Sequence, residues 1–555
     1  MNPNLVKLST IVVVLTLLVP VGLASAAVQV AAPSAAPLPC ESLISLTVPD
    51  TPMTITVAQI VPAGGYQNNP VEMCRIAGYM TPTSISHINF EVWMPTTMWN
   101  GKYNGVGNGG LAGSIGFAAM RTALAWGYAT ASTDTGHKNT DDPATWAIGH
   151  PYPPEKLIDF ATRSIHLTAV AAKAFVAAYY GKPADYSYFT GCSGGGGQAL
   201  SEAQSFPEDY DGIVAGAPAN FPTHMWPGEL YAAWVNRSDP TNNPNSYIIT
   251  QDKLPIINVA AVAACDEIDG LMDGLIDDPR RCDFDPATIV CQEGQTTGCI
   301  TAAQADVVKK VYAGLKDPTT GALFWPGYEP GSELQWWGHI GNPFSIPKTY
   351  FQYMVWDNNQ YPGYPQDAVW QWNTFDFSQQ SNFDNVLYPA SADLGRTLDS
   401  INTDLSAFEA RGGKLILWHG WNDQNIAPRN TIAYYRTVAD ANWGLAKKET
   451  EDFARLFMAP GMQHCSGGPG ANTFDALAAL DQWVVNGIAP DMLIASHSTN
   501  NVVDFTRPLC PYPQVARWTG KGDSKVAANW VCKAMGLGVS AEQNDPANLL
   551  YGMKR

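Results

Sequence analysis

Apolar and polar residues alternate through Ile88-Asn89-Phe90-Glu91-Val92-Trp93-Met94, the period-two pattern of a half-buried strand. Tyr103-Asn104-Gly105-Val106-Gly107 then runs into a glycine turn, Asn108-Gly109-Gly110, so residues 85–135 read as the opening strands of an α/β sheet. Residues 156–180 carry spaced apolar positions, many alanines and no proline, which predicts a helix. Tyr186-Ser187-Tyr188-Phe189-Thr190 is a β-prone run, and residues 198–204 are good helix formers. Ile213-Val214-Ala215-Gly216 fits the next core strand, closed by Ala217-Pro218-Ala219. Sheet character returns at 414–420 and 455–460, and 474–485 is helical.

Between residues 221 and 400 the alternation is lost, and Trp, Tyr, Pro, Asn and Asp become dense. This stretch reads as one insertion, a lid between two sheet strands. The strand at 186–190 leads directly into Gly191-Cys192-Ser193-Gly194-Gly195, a G-x-S-x-G pattern, and a helix follows. Strand, sharp turn and helix form the context of a nucleophile elbow. Asp423 follows the hydrophobic run Lys414-Leu415-Ile416-Leu417-Trp418 and the turn-like His419-Gly420-Trp421-Asn422. His464 follows Ala459-Pro460-Gly461-Met462-Gln463. The chain order Ser, Asp, His is that of an α/β-hydrolase triad. The expected fold is therefore an α/β-hydrolase in two parts, 27–220 and 401–555, around a lid at 221–400.

A serine hydroxyl needs a base to take its proton and a third group to orient that base. Ser193 is the expected nucleophile, His464 the general base and then acid, and Asp423 the residue that fixes the imidazole. Backbone N–H donors must meet the developing oxyanion. Gly194 is one expected donor; the early glycine loop supplies the other, with Gly109 favoured and Gly110 next. His137 and His419 are placed to line a cleft, although a structural role is the simpler expectation for each. His87, His150, His166, His224, His339 and His497 lack a comparable context.

Two cysteines adjoin this constellation, in Cys192-Ser193 and His464-Cys465. Bonded, their Cα atoms would lie about 5.5 Å apart and would hold Ser193 and His464 together. Lys7, the apolar residues 11–23 and Ala24-Ser25-Ala26 form a signal-peptide pattern over residues 1–26. A secreted or periplasmic location follows, where ten cysteines make sense as bridges. A formal charge of −18 argues against nucleic-acid and anionic-membrane partners. Oligomeric state is not legible.

The run Cys265-Asp266-Glu267-Ile268-Asp269-Gly270-Leu271-Met272-Asp273-Gly274-Leu275 is a second motif. Calcium takes six to eight oxygens on a loop that glycine allows to curl. Asp266, Asp269 and Asp273 could face one ion with the Leu271 and Leu275 carbonyls, though a solvated acidic turn fits the residues equally.

The paired Cys192-Ser193, Asp423 and His464-Cys465 resemble the tannase and feruloyl esterase family, which includes mono(2-hydroxyethyl) terephthalate hydrolase-like members. The resemblance extends to Trp99-Asn100-Gly101-Lys102, Asp134-Thr135-Gly136-His137, Tyr210-Asp211-Gly212-Ile213 and Arg507-Pro508-Leu509-Cys510. It implies a Cys192–Cys465 disulfide, and the pairs Cys40–Cys74, Cys265–Cys282, Cys291–Cys299 and Cys510–Cys532. It also implies a structural calcium in the acidic loop and hydrolysis of carboxylic esters through an acyl-serine. The implied substrate is a small aromatic ester, free or attached to a plant polymer. Feruloyl or hydroxycinnamoyl esters come first, then galloyl, then terephthalate or phthalate monoesters. Gly196-Gly197 departs from the family, where a larger residue such as Arg is common. Trp226, Trp336, Trp337, Tyr350, Phe351, Tyr353, Trp356, Trp370, Trp372 and Phe375 are candidates to stack on a substrate ring. Two other readings are a thiol hydrolase with reduced Cys192 as nucleophile and a non-catalytic, calcium-stabilised binding protein.

Overall fold

The computed structural model describes residues 36–138, 145–148, 153–356, 371–443 and 450–534. The signal-peptide pattern at 1–26, His150 and Trp370 lie outside the described residues.

The described chain is organised by one nine-stranded sheet. Its strands are β1 (Met53–Val61), β2 (Met73–Met80), β3 (Ile88–Pro95), β4 (Lys102–Val106), β5 (Ala129–Thr133), β6 (Tyr186–Cys192), β7 (Gly212–Gly216), β8 (Lys414–Gly420) and β9 (Ala454–Ala459). Their spatial order is β1-β2-β3-β5-β4-β6-β7-β8-β9. The first three strands and β5 pair antiparallel; from β5 to β9 every pairing is parallel. Parallel strands have both faces covered, so they read as continuous apolar runs such as Leu415-Ile416-Leu417. In such sheets ligands bind beyond the carboxyl ends of the strands. The ends of β6, β8 and β9 carry Ser193, Asp423 and His464.

The sheet opens earlier than its first legible strand. β1 and β2 precede residue 85; along β1 Met53, Ile55 and Val57 are half-buried and alternate with exposed Thr54 and Thr56. Over 156–180 the helix has two parts, Glu155–Ile158 and α1 (Ser164–Tyr180), joined by a wider turn at Asp159–Arg163. That turn buries the Asp159 side chain, and Arg163 donates to it at 2.9 Å. The remaining helices flanking the parallel strands include α2 (Gly194–Ser205), α3 (Pro222–Val235), α4 (Pro428–Trp443) and α5 (Ala476–Asn486).

After β7 the chain leaves the sheet and returns at β8, which pairs directly with β7. The intervening residues build a small core of their own around Ile249, Leu254, Val308 and Trp336. They also share the main core, in which Trp226, Trp325, Phe351 and Phe375 cluster with Phe90, Phe189, Ile213 and Leu415 from the sheet. Insertion and sheet therefore bury apolar surface against each other, and the chain from Ala36 onward forms one compact unit. Among the described residues no helix is long and apolar enough to cross a membrane.

Candidate active site

β6 ends at Cys192, and Ser193 turns the chain sharply with φ 63° and ψ −125° before α2 begins at Gly194. A positive φ is unfavourable for serine and persists only where its surroundings over-determine it. The Ser193 amide donates to the Gly216 carbonyl at 3.0 Å, and its carbonyl accepts from Gly197 at 3.1 Å and Ala219 at 2.9 Å. The turn also needs close backbone approach. A Cβ on Gly196 would run into the Gly216 oxygen and lie 2.8 Å from the Pro218 Cα. At Gly196 and Gly197, α2 therefore rests directly on the backbone after β7.

Gly194 is the first residue of α2, where an amide has no partner within the helix. The glycine loop of residues 107–110 lies against it: a Cβ on Gly194 would meet the Gly110 oxygen at 2.7 Å. Gly110 and Gly194 line one cavity with Phe160, Pro222, Trp226 and Leu398; Gly109 is outside that lining. His137 braces this loop, with Nε2 2.7 Å from the Leu111 carbonyl and its ring stacked 3.9 Å from Trp146.

Asp423 is fully buried just beyond the end of β8. Its Oδ1 accepts from the amides of Asn425 and Ile426, each at 2.8 Å. Its Oδ2 meets two imidazoles, His464 Nδ1 at 2.7 Å and His419 Nε2 at 3.0 Å. Burial alone would raise the carboxyl pKa, but the His464 charge and the hydrogen bonds of both rings hold it well below the usual carboxylate range. For His464 burial acts to lower the pKa; the charge and hydrogen bond of Asp423 outweigh it and leave the imidazole above its ordinary value.

Cys192 and Cys465 are bridged, and no cysteine among the described residues is free. The other pairs are Cys40–Cys74, Cys265–Cys282, Cys291–Cys299 and Cys510–Cys532. A bridged Cys192 has no thiolate to offer as nucleophile. The bridge ties the serine turn to the histidine turn, where Cys465 also has a positive φ of 61°. Ser193, His464 and Asp423 are thus collected by three strand ends and one disulfide. His419 is the residue that sequence reasoning undervalued; its position four residues before Asp423, at the end of the same strand, was the available signal.

In the acidic loop Asp266 accepts from the amides of Asp273, Gly274 and Leu275 at 2.9–3.2 Å. Gly270 and Gly274, at φ +89° and +84°, let the loop curl. Asp269 accepts from the Leu271 amide at 2.9 Å, and Asp273 pairs with Arg507. Burial and then the charge of Asp269 push Asp277 up to about 7, and its Oδ2 is buried without a hydrogen bond. No three acidic, His or Cys side chains among the described residues stand together as metal ligands. Crowded carboxylates, with Asp277 Oδ2 met by the Arg517 guanidinium at 3.7 Å without a hydrogen bond, nonetheless suit a divalent cation that takes oxygen donors. Leu275 reaches Gly461, where an added Cβ would come within 2.7 Å of it, three residues before His464.

Of the candidate ring-stacking residues, Trp226 lines the cavity with Gly110 and Gly194, and Tyr350 packs on it at 4.9 Å. Trp336, Phe351, Tyr353, Trp356 and Phe375 are core residues. Trp337 packs near Tyr247, and Trp372 faces the Arg237 guanidinium.

Fold and site together define an α/β-hydrolase with a serine–histidine–aspartate arrangement. The model of the tannase and feruloyl esterase family matches residues 74–533, and the chain belongs to that family of carboxylic ester hydrolases. It is 36% identical to an uncharacterised esterase of Xanthomonas campestris, over 89% of this chain and 91% of that protein. It is 34% identical to a probable feruloyl esterase B-2 of Neosartorya fischeri, over 88% and 90% of the two chains. The crystal structure of feruloyl esterase B from Aspergillus oryzae superposes with a TM-score of 0.77 at 28% identity, covering 89% of this chain and 99% of that one.

Proposed function

We propose that this chain is an exported serine esterase that hydrolyses esters of aromatic, phenolic acids, with feruloyl and related hydroxycinnamoyl esters preferred. The observation that carries the reading is Ser193 on a strained turn, tethered through Cys192–Cys465 to a histidine whose Nδ1 lies 2.7 Å from a buried aspartate. Relatives bearing the feruloyl esterase name support the acyl class. Five disulfides among the described residues support export, since such bridges persist in oxidising compartments.

In this mechanism His464 Nε2 takes the Ser193 hydroxyl proton as Oγ attacks the ester carbonyl carbon. The Gly194 amide and an amide of the glycine loop stabilise the oxyanion. Gly109 and Gly110 are both candidates for that second donor, the Gly110 backbone lying directly against Gly194. The imidazolium, held by Asp423, then protonates the departing alcohol and leaves an acyl-Ser193. Water, deprotonated by His464, attacks the acyl carbon and releases the acid. Asp266, Asp269 and Asp273, with the Leu271 and Leu275 carbonyls, would hold a calcium ion that would brace the loop beside the histidine turn and would supply no chemical step.

The test is steady-state hydrolysis of methyl ferulate, methyl gallate and mono(2-hydroxyethyl) terephthalate, with Ser193→Ala as the blank. The expected result is preferred turnover of methyl ferulate that Ser193→Ala abolishes. A stronger preference for gallate or terephthalate would overturn the acyl class, and turnover that survives in Ser193→Ala would overturn the mechanism.

A further inference from the structure

The Asp423 carboxylate has four donors, and one of them is a second imidazole, His419, besides that of His464. His419 stands near the end of β8, completely buried. Its Nε2 is 3.0 Å from Asp423 Oδ2 and 3.1 Å from the Ile426 carbonyl oxygen. Both neighbours are acceptors, so Nε2 carries a proton; the tautomer follows from the network. Its Nδ1 is 2.8 Å from Thr431 Oγ1 in the first turn of α4, a hydroxyl able to donate to it. The ring therefore joins strand, aspartate loop and helix, and it spends its N–H on the same oxygen that His464 uses.

We propose that His419 is a positioning residue for the esterase reaction: it orients Asp423 Oδ2 toward His464 and tempers the charge that this oxygen offers. The proposal rests on the Ser193–His464–Asp423 reading above. A carboxylate gripped at Oδ1 by two amides and at Oδ2 by His419 cannot rotate away when His464 takes a proton. Sharing Oδ2 also limits how strongly the imidazolium is stabilised. This keeps His464 deprotonated, and active as a base, at a lower pH than an unshared carboxylate would allow.

Other groups facing this pair come from the inserted segment. Glu229 on α3 has a carboxyl that burial, and then the Asp423 charge, push well above its usual range. The Tyr328 hydroxyl is raised by burial and then by the Glu229 and Asp423 charges. His339 is lowered to about 4, mainly by burial, and its Nε2 meets Asn425 Oδ1 at 2.8 Å. None of the three donates to Asp423; His419 does.

The experiment compares wild type with His419→Leu, His419→Gln and Thr431→Val, each checked for cooperative thermal unfolding. In His419→Leu, kcat should fall about 10–100-fold with KM within about twofold, since misplaced catalytic groups are costly. The acid limb of kcat/KM should move to higher pH, because Oδ2 then gives its charge to His464 alone. His419→Gln places an amide donor near the lost Nε2–H and should restore much of both. Thr431→Val should move the limb in the same direction by less. An unmoved acid limb in folded His419→Leu, or in Thr431→Val should the first variant not fold, would reduce His419 to packing and overturn the proposal. Proton NMR of the His464 Nδ1–H on a Ser193→Ala background needs no turnover. A displacement of that resonance by His419→Leu supports the proposal even if the ester reading fails, and an unmoved resonance overturns it.

Discussion

Cys192 and Cys465 are bonded across 273 positions of sequence with their Cα atoms 6.0 Å apart, and they adjoin Ser193 and His464, the proposed nucleophile and base. A bridge of this span closes a loop of about half the chain. In the chain-entropy picture it stabilises by about 5–6 kcal/mol, beyond the more usual 2–4. Its second consequence is geometric, because it couples the serine turn at the end of β6 to the histidine turn after β9. Cys192→Ala with Cys465→Ala should therefore lower both the melting temperature and kcat, the latter by about 10–100-fold. His464 keeps Asp423, so KM should change less. Thermal melts with steady-state kinetics check this; a lower melting temperature at unchanged kcat would make the bridge a staple only.

The pH dependence follows from the sign of one shift. The His464 pKa is raised, by the Asp423 charge and hydrogen bond overcoming burial. The base must be neutral to accept the Ser193 proton, so kcat/KM should fall as pH drops through a value above the ordinary histidine pKa of about 6.5. The same shift makes the imidazolium–carboxylate pair a stabilising one. That contribution is fully present below the unfolded histidine pKa and is lost as pH rises through the folded value. Asp423 is shifted the other way, so its contribution is present above the unfolded carboxyl pKa of about 3.9 and fades in strong acid. Asp423→Asn should remove the raised histidine pKa and cost most of kcat; a kcat/KM profile with its acid limb below about 6.5 in wild type would contradict the assignment.

What the sequence made legible was local. The elbow could be read because strand, turn and helix are consecutive at 186–204, and Asp423 and His464 because each follows an apolar strand of a parallel sheet. His419 could not be weighed in this way. Its partners are a loop carboxylate, a carbonyl seven residues on and a hydroxyl on α4, and only the folded turn brings them together. Gly109 and Gly110 differ by one position in a turn, and sequence cannot say which lines the cavity. The inserted segment was opaque because its apolar residues answer two cores, its own and the sheet's, so no single period survives. β1 was missed although Met53, Ile55 and Val57 alternate with Thr54 and Thr56, the period-two signal of a half-buried edge strand.

Chelation tests the acidic loop. Asp277 is pushed up to about 7 by burial and the Asp269 charge, and its Oδ2 finds no hydrogen bond. Burial, and then neighbouring carboxylate charge, raise Asp269 and Asp277 although Arg507 and Arg517 act against it. Removing bound calcium should lower the melting temperature, and readdition should restore it as RT ln(1 + [Ca]/Kd) requires. Elemental analysis that finds no calcium in the purified protein, with no shift on chelation, would remove the ion from this account.

Under the proposed function Trp226 is the candidate to contact the aromatic acyl group. It sits on α3, is buried, and lines a cavity whose other walls include Gly110 and Gly194. On the proposed mechanism the ester carbonyl meets the Gly194 amide, and this wall adjoins that glycine, while Ser193 and His464 are not part of the lining. An indole face gives a planar acid apolar contact and offset stacking worth about 0.5–1.5 kcal/mol beyond area burial. A short acyl group such as acetyl cannot reach it. Trp226→Ala should lower kcat/KM for methyl ferulate by about tenfold, the combined effect of lost stacking and lost apolar contact. For an acetyl ester the change should stay within about twofold. Tyr350 supports the ring at 4.9 Å, so Tyr350→Ala should follow the same pattern more weakly. Parallel kinetics on the two esters decide the point: equal losses on both would mean that Trp226 holds α3 in place, whereas a loss confined to the aromatic ester assigns it to acyl recognition.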